Sequence, residues 1–595
     1  MNPLRLLAPT IALVASNAPV HAQWSTDPAT NQAIQDAASD QNQAKLVPSA
    51  DGGCYISWFD GIGTGWDVRV QKLDVAGNEV YPHGGVLVAD RGFSSTQDYG
   101  LAIDAAGNAL LAYRDDSGAG VQVGAAQVSP AGVVNWSMQL TSTSAFIGLV
   151  KVAGTADGGA VVAWAQDSEM HVQKLDASGA SQWVTDVVIA PALGMYQVSD
   201  LHAAGNDAIL SFVEQGAGFG SPRDLKAQKF DSTGALLWGA GHVSVFDNGS
   251  LQQGNFPGFL PDGSGGGVFS WYDVSSGLQC SVQHVLSNGT EAFVHNGVDV
   301  STNTTRTRVS PSAAYDGVAD EITVFWEEMN AGQSMSGIYG QKIDSAGSSL
   351  WGAEGAVIIP ISAADLTQVR TIPVSAGSLV FYDDTLTFGQ DQLRGARVTS
   401  AGIVDIAPII VTTTPSGKSR LAAGKSSAGF AMLAWSDDRT DGGDILAQAV
   451  TQDGVLGGAT ITMNYCPLTP NSAGPGAEIS ASGTLSVLTN DVVISVTGAI
   501  NDAGVFFYGT AQGQIPFGNG NRCVTGNIVR LWPPTVADAM GNNSRVIDNT
   551  HPGIAGSLAP IVSGATLNFQ YWFRDPAGGG MGFNLSDAIE LTFEP

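Results

Sequence analysis

Cysteine is scarce in this chain: its 595 residues contain four, Cys54, Cys280, Cys466 and Cys523. That excludes a disulfide-dense scaffold, and the absence of Cys-x-x-Cys or Cys-x-His spacing excludes the common zinc modules. Charge is scarce as well, at 13%, and it is one-sided: 25 Lys and Arg face 54 Asp and Glu, for a net charge of -29. No lysine follows Lys425. Nucleic acid and anionic lipid need basic patches, so neither is an expected partner. No segment reaches the roughly 20 apolar residues that span a bilayer. The catalytic signatures His-Glu-x-x-His and Gly-x-Ser-x-Gly are missing too.

What is present is glycine, 75 residues of it, among short apolar runs. That composition suits many strands joined by turns. At the N-terminus, Arg5 precedes the apolar run Leu6–Ala15, and Val20-His21-Ala22 offers small residues for cleavage. Residues 1–22 therefore read as a signal peptide, with mature protein beginning at Gln23. The expected location is secreted, extracellular or at the cell surface, with the periplasm as the alternative. In such an oxidising compartment Cys466 and Cys523, both in the C-terminal region, are expected to pair. Cys54 and Cys280 lie in strand-like runs of different repeats and read as small buried hydrophobes.

A repeat organises the chain up to about residue 460. A turn glycine recurs at Gly77, Gly132, Gly179, Gly234, Gly289, Gly347, Gly402 and Gly454. Six residues earlier stands Gln71, Gln173, Gln228, Gln283, Gln341 or Gln448 in six copies of the eight. Four residues later stands Tyr81, Trp136, Trp183, Trp238, Phe293 or Trp351, but nothing aromatic in the last two copies. Before each turn, an apolar run closes on an aromatic and an acid, as in CYISWFD at Trp58 and AMLAWSDD at Trp435. Two markers in one phase define eight units of four strands each. A lone four-stranded sheet leaves both faces wet, whereas radial stacking buries them. The expected fold is all-β: an eight-bladed β-propeller over residues 23–462. Because the eighth unit has a weak last strand, residues 24–34 are expected to supply that blade's outer strand and latch the ring; residues 459–463 are the competing segment.

The unit resembles the W-x-D-x-R, DI-x-A-Q, D-x-x-G-x-x-x-W repeat of secreted bacterial β-propeller proteins of unassigned function. Trp435-Ser-Asp437-Asp-Arg439 with Asp444-Ile-Leu-Ala-Gln448 carries the likeness most fully, and Asp67–Gln71 and Asp224–Gln228 carry it in part. The resemblance covers residues 23–460 and implies fold rather than activity. Two better-understood propeller motifs are missed narrowly. The sialidase Asp box sets Asp and Gly closer together than they stand here, and KFDSTGALLW is one residue short of the quinoprotein dehydrogenase pattern.

At MNYCPLTPNSAGPG, residues 463–476, the text changes to a Pro- and Gly-rich stretch that reads as a linker. Beyond it, residues 477–595 contain no copy of the repeat. Leu567, Phe569, Tyr571 and Phe573 alternate with Asn568, Gln570 and Trp572, which predicts a β-sandwich. FFYGTAQG, FGNGNRC, YWFRDP and LSDAIELTF resemble a C-terminal Gly-rich β-sandwich found on assorted exported bacterial proteins. By that analogy, the domain suits display, sorting or glycan contact.

Candidate chemistry is sparse. Asp60, Asp115, Asp167, Glu214, Asp273, Glu327, Asp383 and Asp437 follow the second-strand aromatics. They would place a ring of carboxylates on one face, or else simply fix their own turns. Asp437, Asp438, Asp441 and Asp444 form the densest acidic loop. Calcium is the one ion it approaches, although Arg439 breaks the EF-hand spacing. No other cofactor is expected. Asp575, Asp587 and Glu590 are the acids of the second domain that could converge. No two of His21, His83, His171, His202, His242, His284, His295 and His551 sit at helical metal spacing. The reading is a monomeric, non-enzymatic exported protein whose propeller face or channel mouth binds a glycan or a protein. The alternative is an extracellular hydrolase or quinoprotein-like oxidoreductase acting at the channel.

Overall fold

The computed structural model describes residues 24–593 except 62–64, 93–96, 117–119, 144–145, 219, 375–376, 459–462, 483–484, 486, 488–489 and 491. The expected leader, residues 1–22, lies outside the described residues. Among the described residues the only helical pieces are Pro552–Ala555 and the 3-10 turn Pro576–Gly578. The chain divides into two compact units. One runs to Gly424 and takes in Met432–Ala449; the other comprises Lys425–Ala431 and Val450–Pro595.

The first unit carries eight four-stranded antiparallel sheets among the described residues, numbered here 1 to 8 along the chain. Sheet 1 is typical: Gln41–Pro48, Cys54–Asp60, Asp67–Leu73 and Val86–Ala89 pair in that order. All seven residues of Cys54–Asp60 are buried, as are all seven of Ala431–Asp437 in sheet 8. A strand covered on both faces needs such an unbroken apolar run. The cover comes from the neighbouring sheets: Tyr55 and Val70 of sheet 1 share a core with Leu111 and Tyr113 of sheet 2, and Phe325 of sheet 6 shares one with Tyr382 of sheet 7.

The repeat's conserved spacing has a mechanical meaning, seen at Gln228. Its Oε1 accepts from the backbone N–H of Lys229 at 2.9 Å and of Trp238 at 3.0 Å, while its Nε2 donates to Gly239 O at 2.7 Å. This clamp aims Trp238 at the next sheet, where the indole Nε1 donates to Ser287 O at 3.1 Å. The ring lies on Gly289, whose φ is 83°. A Cβ there would stand 2.8 Å from the indole, so glycine is required both for the turn and for the contact. Trp183 and Trp351 make the same bond, to Ser232 O and Ser400 O.

Sheet 8 takes its fourth strand from the other end of the chain. Gln32–Gln35 pairs antiparallel with Asp444–Val450, with Gln32 opposite Ala447. Trp24 lies on Gly77 of sheet 1 and donates Nε1 to Val75 O at 3.1 Å. Gln448 Nε2 donates to Ser25 O at 2.5 Å, as Gln228 does to the residue after Trp238. The segment expected to close the ring is thus in place, with a four-residue strand and Trp24 as the aromatic that the eighth repeat lacks. Most of the competing segment, 459–462, lies outside the described residues.

The first strands of successive sheets also lean on one another or on the residues leading into them. Ser199 Oγ donates to Pro257 O at 2.7 Å, Thr371 N to Ser312 Oγ at 3.0 Å, and Leu421 N to Gln368 Oε1 at 2.9 Å. Gly424 of sheet 8 abuts Leu46 and Pro48 of sheet 1. This succession is consistent with a β-propeller whose first strands surround an axis.

In the second unit, Ala503–Gly509, Thr566–Arg574 and Phe583–Thr592 are central strands of a six-stranded sheet. Phe569, Tyr571 and Phe573 on one face share a core with Ile479, Ile494 and Val496 of a separate three-stranded sheet. The opposite face carries Trp572, packed with Phe507, Val524 and Leu585. Met463–Tyr465, within the stretch read as a linker, is a strand paired with Phe583–Thr592. Cys466 and Cys523 form a disulfide.

Candidate functional site

The acids that follow the second-strand aromatics do not form an open ring. Asp60, Asp115, Asp273, Glu327, Asp383 and Asp437 are buried, Glu214 is half-buried, and only Asp167 is exposed. Strand alternation explains their roles: a residue two places after the aromatic shares its face. That position is held by Asp60, Asp115, Glu214, Asp273 and Asp437. In sheets 3, 6 and 7 it is held by Gln166, Glu328 and Asp384, one residue out of step with the acids expected from sequence. Most of these in-phase acids serve internal pairs. Arg69 meets Asp60 at 2.9 Å, Lys226 meets Glu214 at 3.2 Å, Arg308 meets Glu328 at 2.9 Å, and Arg394 meets Asp384 at 3.1 Å. The indoles of Trp326 and Trp435 donate to Glu328 at 2.6 Å and Asp437 at 2.8 Å. Glu327 and Asp383, on the opposite face, are pushed up to about 7, first by burial and then by Asp365 and Asp391 respectively.

The acidic loop of sheet 8 is engaged in the same way. Asp437 accepts from Arg439 Nη2 at 2.8 Å and Ser416 Oγ at 2.6 Å, with Lys418 at 3.4 Å. Burial alone would raise its pKa; Arg439, Lys418 and Ser416 outweigh it and hold the carboxyl at about 2. Asp438 accepts from Gly417 N, and Asp441 from Gly443 N at 3.3 Å. Asp444 is buried, its Oδ1 has no partner among the described residues, and burial raises its pKa. Among the described residues no three His, Cys, Asp or Glu side chains are gathered as a metal group. In the second unit Asp575 accepts from Ser472 N, Asp587 from Ile479 N and Glu590 from Gln512, so each is tied into its own local bond.

The feature that stands apart is on the first strands. Those eight strands carry Lys45, Lys151, Arg306, Arg308, Arg370, Lys418, Arg420 and Lys425, against Asp200, Asp316 and Asp365 alone. In a chain of charge -29 the sign is reversed on these strands. Arg306 and Arg308 are spent on Glu328, and Lys418 on Asp437. Lys45 and Lys151 share Asp98, the first at 2.6 Å, so one carboxylate ties sheets 1, 2 and 3 together. Both lysines stand two places after a residue of left-handed backbone, Gln43 at φ 61° and Leu149 at φ 53°. Arg370 and Gln368, at φ 54°, repeat that spacing in sheet 7. The bulge that begins at the left-handed residue shifts the register of the first strand at each of these places.

Farther round, His202 meets Asp200 at 3.0 Å and lies edge-on to Phe259. Burial opposes its charge, yet Asp200 outweighs burial and holds the imidazole above its usual range. Arg370 donates to Val369 O at 2.9 Å and has no carboxylate partner among the described residues. Burial pushes its pKa down. The loops after the second strands and those leading into the first strands open at one end of the unit, since Asp167 N meets Phe146 O at 2.8 Å. At that end Phe146 is 54% exposed and Phe388 fully exposed. Sequence reading passed over the lysines and Arg370 because the first strands carry no repeated motif; aligning them on the second-strand aromatics Trp58 and Trp164 would have found the two lysines in one phase.

No protein-family model matches the chain, and no curated protein matches it. Among solved structures, a structure titled Dos1 propeller is 11% identical and covers 68% of this chain and 95% of its own, at a TM-score of 0.38. Prolyl oligopeptidase B from Galerina marginata is 11% identical over 67% of this chain and 56% of its own, also at 0.38. An α-L-arabinofuranosidase from Clostridium thermocellum is 15% identical over 42% and 91%, at 0.26. The propeller assignment rests on the strand pairing above, not on these likenesses.

Proposed function

We propose that the protein is an exported, non-enzymatic binding protein: an eight-bladed β-propeller followed by a β-sandwich, with a glycan seated where the propeller's axial channel opens. One observation carries this reading. Exposed Phe146 leads into the first strand of sheet 3 and exposed Phe388 follows the second strand of sheet 7, in loops of the same end. Apolar rings for stacking, beside a few convergent polar groups, are what a saccharide site offers. A protein ligand would call for a broader surface, about 800 Å² per partner.

The test is a glycan array with the mature protein, followed by calorimetry on the strongest ligand. The double variant Phe146→Ala, Phe388→Ala is expected to weaken binding at least tenfold. Unchanged affinity would overturn the site. A hydrolase reading has one observation in its favour, the two carboxyls held near pH 7. Glycoside hydrolysis needs two carboxyl groups flanking one bond. Glu327 and Asp383 are instead 7% and 3% exposed in separate sheets. Mass spectrometry of bound oligosaccharide after long incubation is expected to show it intact; cleavage products would replace the binding reading.

A further inference from the structure

We infer that the ligand is an anionic glycan, with its carboxylates held on the cations of the axial wall, Arg370 foremost. This deepens the glycan reading and rests on it. The first strands hold eight basic residues and three acids, inside a chain with more than twice as many acids as bases. Solubility does not explain such a reversal, because charges placed for solubility belong on the outer surface. Pairing accounts for Lys45 and Lys151 through Asp98, for Arg306 and Arg308 through Glu328, and for Lys418 through Asp437. It does not account for Arg370, which has no ion-pair partner among the described residues.

A guanidinium partly withdrawn from water without a counter-ion is costly, and a carboxylate ligand would offset that cost through a bidentate pair. His202, paired with Asp200, lies on the first strand of sheet 4. The ring of Phe259 beside it provides an apolar face. A guanidinium without a counter-ion matches a sugar acid better than a neutral sugar. The surrounding acidic surface repels polyanions at long range, so recognition is expected of short oligomers or chain ends entering the channel.

The experiment uses the full mature chain and two probes of equal length: oligogalacturonate, and the same oligomer with its carboxyls reduced to alcohols. Oligogalacturonate is expected to bind at least tenfold tighter. Arg370→Gln should erase that preference, and Arg370→Lys should restore part of it. An unchanged melting temperature in Arg370→Gln would show that the loss is not unfolding. Equal binding of both probes would overturn the anionic assignment while leaving the glycan reading intact. Failure of every glycan on the array, acidic and neutral, would overturn the glycan reading itself. Preference retained in Arg370→Gln would remove Arg370 from the site.

Discussion

At the scale of single residues, the molecule depends on groups that look functional and act structurally. Asp437 is the clearest. Its carboxyl sits among Arg439, Lys418, Ser416 and the Trp435 indole. Replacing it by Ala strands two cations, and such a loss costs about 3–5 kcal/mol. Urea unfolding of Asp437→Ala at pH 7 should show a drop of that order, and a drop below 1 kcal/mol would make the pair dispensable. Its pKa is depressed, so its contribution is full above pH 4 and falls away as pH drops through about 2. Trp238 is the second case. Truncating a buried tryptophan costs about 3–5 kcal/mol, and Trp238→Ala should lose that much in the same assay. A spectroscopic response to any ligand is not expected from it.

At the scale of the element, histidine fastens the closing strand. His83 Nε2 meets Asp36, the residue after Gln32–Gln35, at 3.0 Å, while Nδ1 meets Glu79 of sheet 1 at 3.1 Å. His295 repeats this with Asp247 and Glu291 between sheets 4 and 5. The hydrogen bond that His83 donates to Glu79 is the chief reason that the His83 pKa rises to about 9. A raised pKa stabilises the fold fully below the unfolded value near 6.5 and loses that effect as pH climbs through about 9. The difference in melting temperature between the protein and His83→Gln is therefore expected to be largest at pH 6 and to vanish by pH 10. A constant difference would assign the effect to packing.

At the scale of the whole molecule, the repeat was legible and the wall was not. Turn glycines, clamping glutamines and inter-sheet aromatics recur because every sheet must solve the same packing problem, so eight copies average out the noise. Asp383 and Glu327 were placed out of step because only strand alternation separates them from Asp384 and Glu328. Arg370 was invisible because one cation on one strand has no pattern. The second unit supplies its own prediction. The Cys466–Cys523 bond closes a loop of 57 residues, for which chain entropy gives about 4 kcal/mol. Reductant should lower the unfolding midpoint of this unit and leave the first unit's unchanged. Burial raises the Cys54 and Cys280 thiols, so neither should react with a thiol reagent in the native state.

The closing strand has a further consequence, for mechanical load. Gln32–Gln35 runs antiparallel to Asp444–Val450, with Gln32 opposite Ala447. The chain thus enters the first strand and leaves the second at the same end of the pair. Tension applied between the termini opens the ladder one rung at a time instead of shearing all its rungs together. A pairing held by Trp24 and Gln448 would yield early to a pull, and single-molecule stretching should find sheet 8 the first to part.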